Sequence, residues 1–368
     1  MIRAAVMPAP DRPLEVREFP DPVLGPGDVL LETVASEVCG TDVHLHHGHL
    51  AGVPYPLIPG HVSVGRVLEA RGVDRDALGE SLAPGDVVTF YDVVGVCGAC
   101  WHCLVARQPN RCAHRRVYGI TLGAADGLHG GWAERIHLRA GVRTLRLPAP
   151  LTADDIIAGG CGLFTGFAAV ERSGLALGDT VVVQGAGPVG LAAVLFAHLR
   201  GAACVVALGA PEPRLALARR FGADVALSIA ETPAEQRADA VRALTGGRGA
   251  DVVIECAGRP AAIPEGLALV RDGGTYVVAG HYTDTGEVTI NPHRDLNRKH
   301  VEVRGQWGTD FHHVVRALRL LARHRARVPI GEIVGGRYAL EDAGRALADV
   351  EALRVTKALI VPHPSHRH

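Results

Sequence analysis

Along the first 160 residues, short apolar runs are separated by glycine and proline. Val29–Val34, Ser63–Glu69 and Asp86–Tyr91 read as strands, with Pro84-Gly85-Asp86 as the turn before the third. From about Cys161 to Gly305 the pattern changes to alternating strand and helix. Strands are predicted at Val181–Val183, Cys204–Leu208, Asp224–Leu227, Val252–Cys256, Tyr276–Ala279 and Val301–Val303. Helices are predicted between them, including Arg214–Phe221, Ala234–Leu244 and Pro260–Val270. Six strands with helical crossovers imply an α/β fold, a doubly wound parallel sheet. The tail predicts helices near Phe311–His324 and Glu341–Leu353 and a strand at Ala358–Val361; the last residues, HPSHRH, read as frayed.

Thr180–Arg200 organises the rest. The buried run Val181–Val183 leads into Gly185-Ala-Gly187-Pro188-Val189-Gly190, and an apolar segment of helical length follows. That is the strand, glycine turn and helix order of a dinucleotide fingerprint. Gly185 allows the tight turn, Gly187 lets a pyrophosphate approach the backbone, and Gly190 lets helix pack on strand. The free N–H groups of the helix N-terminus face the phosphates.

At 368 residues there is room for about two domains. A formal net charge of −1 gives no basic field for nucleic acid or an anionic membrane. Only Lys299 and Lys357 are lysines; every other basic residue of the Lys/Arg set is arginine. The start, MIRAAVMPAP, lacks a signal-peptide core, and no apolar run is expected to span a bilayer. A cytoplasmic location is therefore expected, and clustered cysteines without a secretory signal favour thiolate metal ligands over disulfides.

Cys97, Cys100, Cys103 and Cys112 lie within sixteen residues. Two-residue gaps let a turn place successive sulfurs on one ion, and the more distant cysteine closes a tetrahedron, so a structural zinc lobe is expected at about 95–113. His102, between these ligands, is expected to be exposed. Cys39, His61 and Cys161 stand apart from the lobe, and spacing alone leaves them open to reading as core thiols and a surface histidine. Cys204 and Cys256, in predicted strands, read as buried packing residues.

Taken together, CGTDVH at Cys39–His44, PGH at 59–61, the four-cysteine lobe, GCGLFTG at 160–166, the fingerprint and the terminal strand after Lys357 occur in one order. In this the chain resembles the zinc-dependent alcohol and polyol dehydrogenases of the medium-chain dehydrogenase/reductase superfamily, over nearly its full length. The resemblance implies a GroES-like catalytic domain at 1–160 and 306–368, with a Rossmann domain at 161–305 between. It implies that Cys39, His61 and Cys161 hold a catalytic zinc with one position open, making two zincs per chain. Zinc lowers the pKa of an alcohol, and nicotinamide accepts the hydride. Thr41 is the expected proton carrier, with the relay continuing to His44; Asp42 is expected to orient His61, or else to cap a turn. Lys357 matches a position that reaches the pyrophosphate. A homodimer or homotetramer is implied, acting on a small alcohol or its carbonyl, plausibly a secondary or polyhydroxylated one.

One departure stands out. Where the family has Glu after the zinc histidine, this chain has Val62, and Glu37 stands where a small residue is common. Glu37 is either a partial replacement for the missing charge or an exposed or differently paired carboxylate. The second predicted strand ends Ala207-Leu208-Gly209 without the acid that selects NAD; Arg214 can pair a 2′-phosphate, while Glu212 can still reach a ribose, and the reading leans to NADP. Val278–His281 and Gln306-Trp307 are expected beside the nicotinamide. Phe90, Tyr91, Tyr118 and Trp307 are pocket or core aromatics. Two other readings stay open: a zinc-free quinone or enoyl reductase of the same superfamily, and a nonenzymatic zinc-bearing binding protein.

Overall fold

The computed structural model describes residues 1–363. The chain divides into two compact units: Met1–Gly160, Asp310–Arg325 and the residues from Ile330 on form one, while Cys161–Thr309 and Ala326–Pro329 form the other. The frayed-tail reading falls mainly on 364–368, outside the described residues.

The second unit is built on a six-stranded sheet. Its spatial order is Val225–Ser228, Cys204–Gly209, Thr180–Gln184, Ala250–Glu255, Val270–Val278 and Glu302–Gly305, every neighbour parallel. The chain starts at Thr180–Gln184, steps outward twice, then returns to the other side, so the topological switch lies between Thr180–Gln184 and Ala250–Glu255. Parallel strands are covered on both faces and so carry continuous apolar runs, which is why Val181–Val183 and Val205–Leu208 are buried. Val182, Val206 and Leu208 share a core cluster with Val253, Leu267 and Tyr276. Strand Val270–Val278 begins well before the expected Tyr276. Its polar Arg271-Asp272-Gly273 reads as a turn, and the register slips there before pairing resumes at Thr275.

The first unit carries a seven-stranded sheet. Val29–Val38 lies at its centre, between Lys357–Ile360 and Ser63–Ala70, and also pairs with Arg135–Leu138. Strand Lys357–Ile360 runs antiparallel to Val29–Val38 with Leu359 opposite Glu37. In the tail the predicted helix at Glu341–Leu353 resolves into a 3-10 turn, Leu340–Asp342, and a helix, Ala343–Glu351.

Helix Ala153–Ser173 is not among the predicted elements, and it carries Gly159, Gly160, Gly162 and Gly166. Gly160 does break it, at φ 52° and ψ −153°. Gly162 and Gly166 instead serve close packing: a Cβ on Gly166 would stand 2.6 Å from Ala192 Cβ, and one on Gly162 would stand 2.8 Å from Pro188 Cβ. By length and composition this helix could cross a membrane, contrary to the expectation from sequence, yet 78% of its most apolar window is buried in the protein.

Candidate active site

The glycine turn follows Thr180–Gln184 and opens helix Pro188–Leu199. Gly185 sits at φ +107°, and a Cβ there would meet Ala257 N at 2.9 Å. A Cβ on Gly190 would overlap the Gly185 carbonyl oxygen. Nothing lies within 4 Å of a Cβ on Gly187, the helix N-cap, so that face of the turn is open. Pro188 and Val189 form the first turn, where proline's missing N–H costs nothing. Gly209 ends strand Cys204–Gly209, and a Cβ there would stand 2.6 Å from Ala186 Cβ. Close packing of this strand on the turn therefore excludes an acidic side chain at Gly209, and Leu208 is buried. Arg214 is half-buried on helix Glu212–Arg220, while Glu212 is exposed and paired with Arg219 at 2.6 Å.

In the first unit a second set of donors converges. Cys39 ends the run out of strand Val29–Val38 and is the N-cap of helix Gly40–His46. His61 follows Gly60, whose φ of +92° turns the chain, and a Cβ on Gly60 would stand 2.6 Å from Trp132 Cδ1. Cys39 Sγ lies 3.9 Å from His61 Nε2, and both side chains are buried. Glu37 joins them: its side chain is 0% exposed, with Oε1 3.2 Å from His61 Nε2. The donor atoms of Glu37, Cys39 and His61 lie within 4.8 Å of one another, close enough to share one ion. Cys161, half-buried, follows Gly160 directly, and a Cβ on Gly160 would overlap Glu37 Oε2. Burial lowers the pKa of His61, but Cys39, Glu37 and Asp42 outweigh it and raise it well above the ordinary imidazole value. A buried surplus of acidic donors around one imidazole fits a divalent cation.

Asp42 secures the start of helix Gly40–His46, the turn-capping alternative, and no hydrogen bond joins it to His61 among the described residues. Its Oδ2 accepts from Cys39 N at 2.9 Å, while Asp42 Oδ1 and His61 Nδ1 are both buried without hydrogen-bond partners. Burial first, then Cys39, raises the Asp42 pKa well above the carboxylate range. Thr41 is half-buried in the first turn of the helix. His44, one turn on, has its Nδ1 3.2 Å from Nδ1 of His49, and burial lowers its pKa.

Lys357 is not the surface cation that a lone lysine near a terminal strand suggests. It is 1% exposed at the start of strand Lys357–Ile360, and its Nζ donates to Glu37 Oε2 at 2.5 Å. The exposed reading of Glu37 fails with it. Phe90 and Tyr118 belong to the core with Leu31, Val67 and Ile136; the Tyr118 hydroxyl donates to the His137 carbonyl at 3.0 Å. Tyr91 packs beside Phe311, with ring centroids 5.9 Å apart. In the second unit Trp307 stacks on Tyr282, and Gln306 N donates to the Val278 carbonyl at 2.9 Å. Cys204 and Cys256 are half-buried rather than core thiols. Cys204 opens its strand, and Cys256 lies just beyond Ala250–Glu255, beside the glycine turn.

The four lobe cysteines have their sulfurs within 4.8 Å of one another. Backbone N–H groups of Ala99 and Cys100 point at Cys97 Sγ and, with the neighbouring thiols, lower its pKa to about 6. A turn that stabilises a thiolate at Cys97 suits zinc. His102 is exposed, as expected.

Comparison with known proteins is consistent with this geometry. The alcohol dehydrogenase GroES-like domain family matches residues 25–149, and the zinc-binding dehydrogenase family matches 188–323. The chain belongs to the zinc-dependent alcohol dehydrogenases of the medium-chain dehydrogenase/reductase superfamily. The 5-exo-hydroxycamphor dehydrogenase of Pseudomonas putida is 35% identical, over 97% of this chain and 98% of that one. An alcohol dehydrogenase structure from Thermotoga maritima superposes with a TM-score of 0.93 at 33% identity, over 98% of this chain and 99% of that one. A structure from Sinorhizobium meliloti 1021, bound to NADP, gives a TM-score of 0.84 at 29% identity, over 98% of this chain and 99% of that one.

As a member of this family the protein is an oxidoreductase acting on CH–OH groups with zinc and a nicotinamide cofactor. The nonenzymatic reading is thereby set aside. What sequence reasoning missed is the burial of Glu37 and its pairing with Lys357. The only signal was negative: a charged residue in a run that is otherwise apolar or small, next to a position where a charge had gone missing.

Proposed function

We propose that this dehydrogenase interconverts a secondary or polyhydroxylated alcohol and its carbonyl, with NADP and two zinc ions per chain. The observation that carries the reading is the buried Cys39–His61 pair at 3.9 Å, with Cys161 next in line after Gly160. Those three residues would hold one ion, and Cys97, Cys100, Cys103 and Cys112 the other. When bound, zinc supplies a Lewis acid and the nicotinamide a hydride acceptor. Everything else falls to the chain. The Thr41 hydroxyl, two residues past Cys39, takes the proton from the alcohol oxygen and hands it on. His44, one helical turn later, has its pKa lowered by burial, so its ring is left unprotonated and can receive the proton in passing and release it again. The open face at Gly187 and the N-terminus of helix Pro188–Leu199 receive the pyrophosphate.

NADP is favoured because Gly209 has no room for the acid that would grip the ribose hydroxyls, while Arg214 lies two residues into the next helix. The NADP-bound relative supports the same choice. The relative named for 5-exo-hydroxycamphor supports a secondary alcohol. We place the enzyme in the cytoplasm as a homodimer or homotetramer. Purified enzyme screened over secondary alcohols and polyols with each cofactor tests all of this. The expected outcome is at least a tenfold higher kcat/KM with NADP than with NAD, the size of one charged contact. Turnover only with NAD, or no second zinc on metal analysis, rejects the corresponding part.

A further inference from the structure

We propose that Glu37 is a reserve ligand of the metal site at Cys39 and His61, transferred from the neighbouring strand, and that Lys357 is the latch that sets its availability. This rests on the metal reading above. Four observations carry it, all within the first unit. First, the position after His61 is apolar: Val62 is 5% exposed and has no charge to offer. Second, Glu37 is the cross-strand neighbour of that position, since Glu37 N donates to the Val62 carbonyl at 3.1 Å. A carboxylate moved from one strand to the next therefore reaches the same buried place. Third, its two oxygens face different partners. Oε1 lies 3.2 Å from His61 Nε2, the nitrogen that also faces Cys39 Sγ, while Oε2 holds Lys357 Nζ at 2.5 Å. Fourth, the surroundings are shaped to admit the pair. A Cβ on Gly160 would overlap Glu37 Oε2 and stand 2.6 Å from Lys357 Nζ, so only glycine fits there.

A fully buried carboxylate is costly unless paired, and an apolar pair of similar volume is often no less stable. Stability alone therefore does not account for Glu37 and Lys357. Lys357 neutralises the carboxylate while it is not engaged by the ion. Oε1 is directed at the donor set, 3.2 Å from His61 Nε2. It enters when another donor leaves, which keeps the ion in place while outer ligands exchange.

The test is metal retention. Purified enzyme is loaded with zinc, the ion content is counted, and release to a chromogenic chelator is followed. Wild type should show a slow phase from this site besides that of the thiol lobe. Glu37→Gln should retain the ion at the outset yet release it about tenfold faster, with the lobe phase unchanged. Glu37→Asp keeps the charge and should fold even if the amide variant does not; its shorter arm should also speed release. In cobalt-substituted enzyme, both variants should change the visible d–d absorption. Glu37→Gln combined with Val62→Glu, which returns the carboxylate to the neighbouring strand, should restore slow release. Wild-type release rates and an unaltered cobalt spectrum in Glu37→Gln and Glu37→Asp overturn the reserve-ligand role alone. A wild-type enzyme that binds only the lobe ion overturns the metal reading on which it rests.

Discussion

At the scale of single residues, the chemistry turns on groups whose neighbours fix one proton state. Thr41→Val should lower kcat by about a hundredfold, the usual worth of a proton-transfer group, with zinc content unchanged. Steady-state rates and metal analysis on one preparation check it. Arg214→Ala should raise the KM for NADP about tenfold and leave that for NAD nearly unmoved, as read from initial rates with each cofactor. His129 makes a pH prediction away from the site. Its Nε2 accepts from Arg139 Nε at 3.0 Å, and its Nδ1 faces the His137 carbonyl at 3.2 Å, so the ring is held neutral. Burial first, then Arg139, lowers its pKa to about 4. The unfolded chain takes up a proton near pH 6.5 that the folded chain refuses. The stability is thus present above pH 6.5 and is lost as pH falls towards 4, by roughly 3 kcal/mol. Chemical unfolding across that range should show the slope, and His129→Gln should flatten it.

Among the elements, legibility followed range. Helix Phe311–His324 and helix Ala234–Leu244 have the bounds their apolar period predicts, and the lobe cysteines are close in space because they are close in sequence. Helix Ala153–Ser173 was illegible because glycine carries two opposite meanings. Gly160 breaks the helix, whereas Gly162 and Gly166 let it approach a neighbour, and only the neighbour tells them apart. The pairing of Glu37 with Lys357 was illegible for the same reason at greater distance, as 320 residues separate the partners. Gly166→Val tests the packing reading. A Cβ there would stand 2.6 Å from Ala192 Cβ and 2.7 Å from Ala193 N, so the variant should lose about 1–3 kcal/mol. The Tm should fall by several degrees in a thermal scan, at unchanged zinc content.

Over the whole molecule, 38 Lys and Arg nearly balance 39 Asp and Glu. With a net charge of −1 there is little long-range field to steer a ligand. For a neutral alcohol, kcat/KM should change less than about twofold between low and physiological salt, which rates at fixed cofactor would check. The same balance predicts lowest solubility near pH 7, measured by precipitation against pH. The broad design was readable at this scale because the motifs keep one order along the chain, whereas no local pattern tells which late strand closes which early one. That closure bears on biosynthesis. The strand that neutralises Glu37 is made 320 residues after it, so a nascent chain carries an uncompensated charge in its first sheet until Lys357–Ile360 has emerged from the ribosome. A product terminated before residue 357 would forfeit on the order of 3–5 kcal/mol there and become prey for proteases, so that copies carrying this strand are the ones that survive to take up metal.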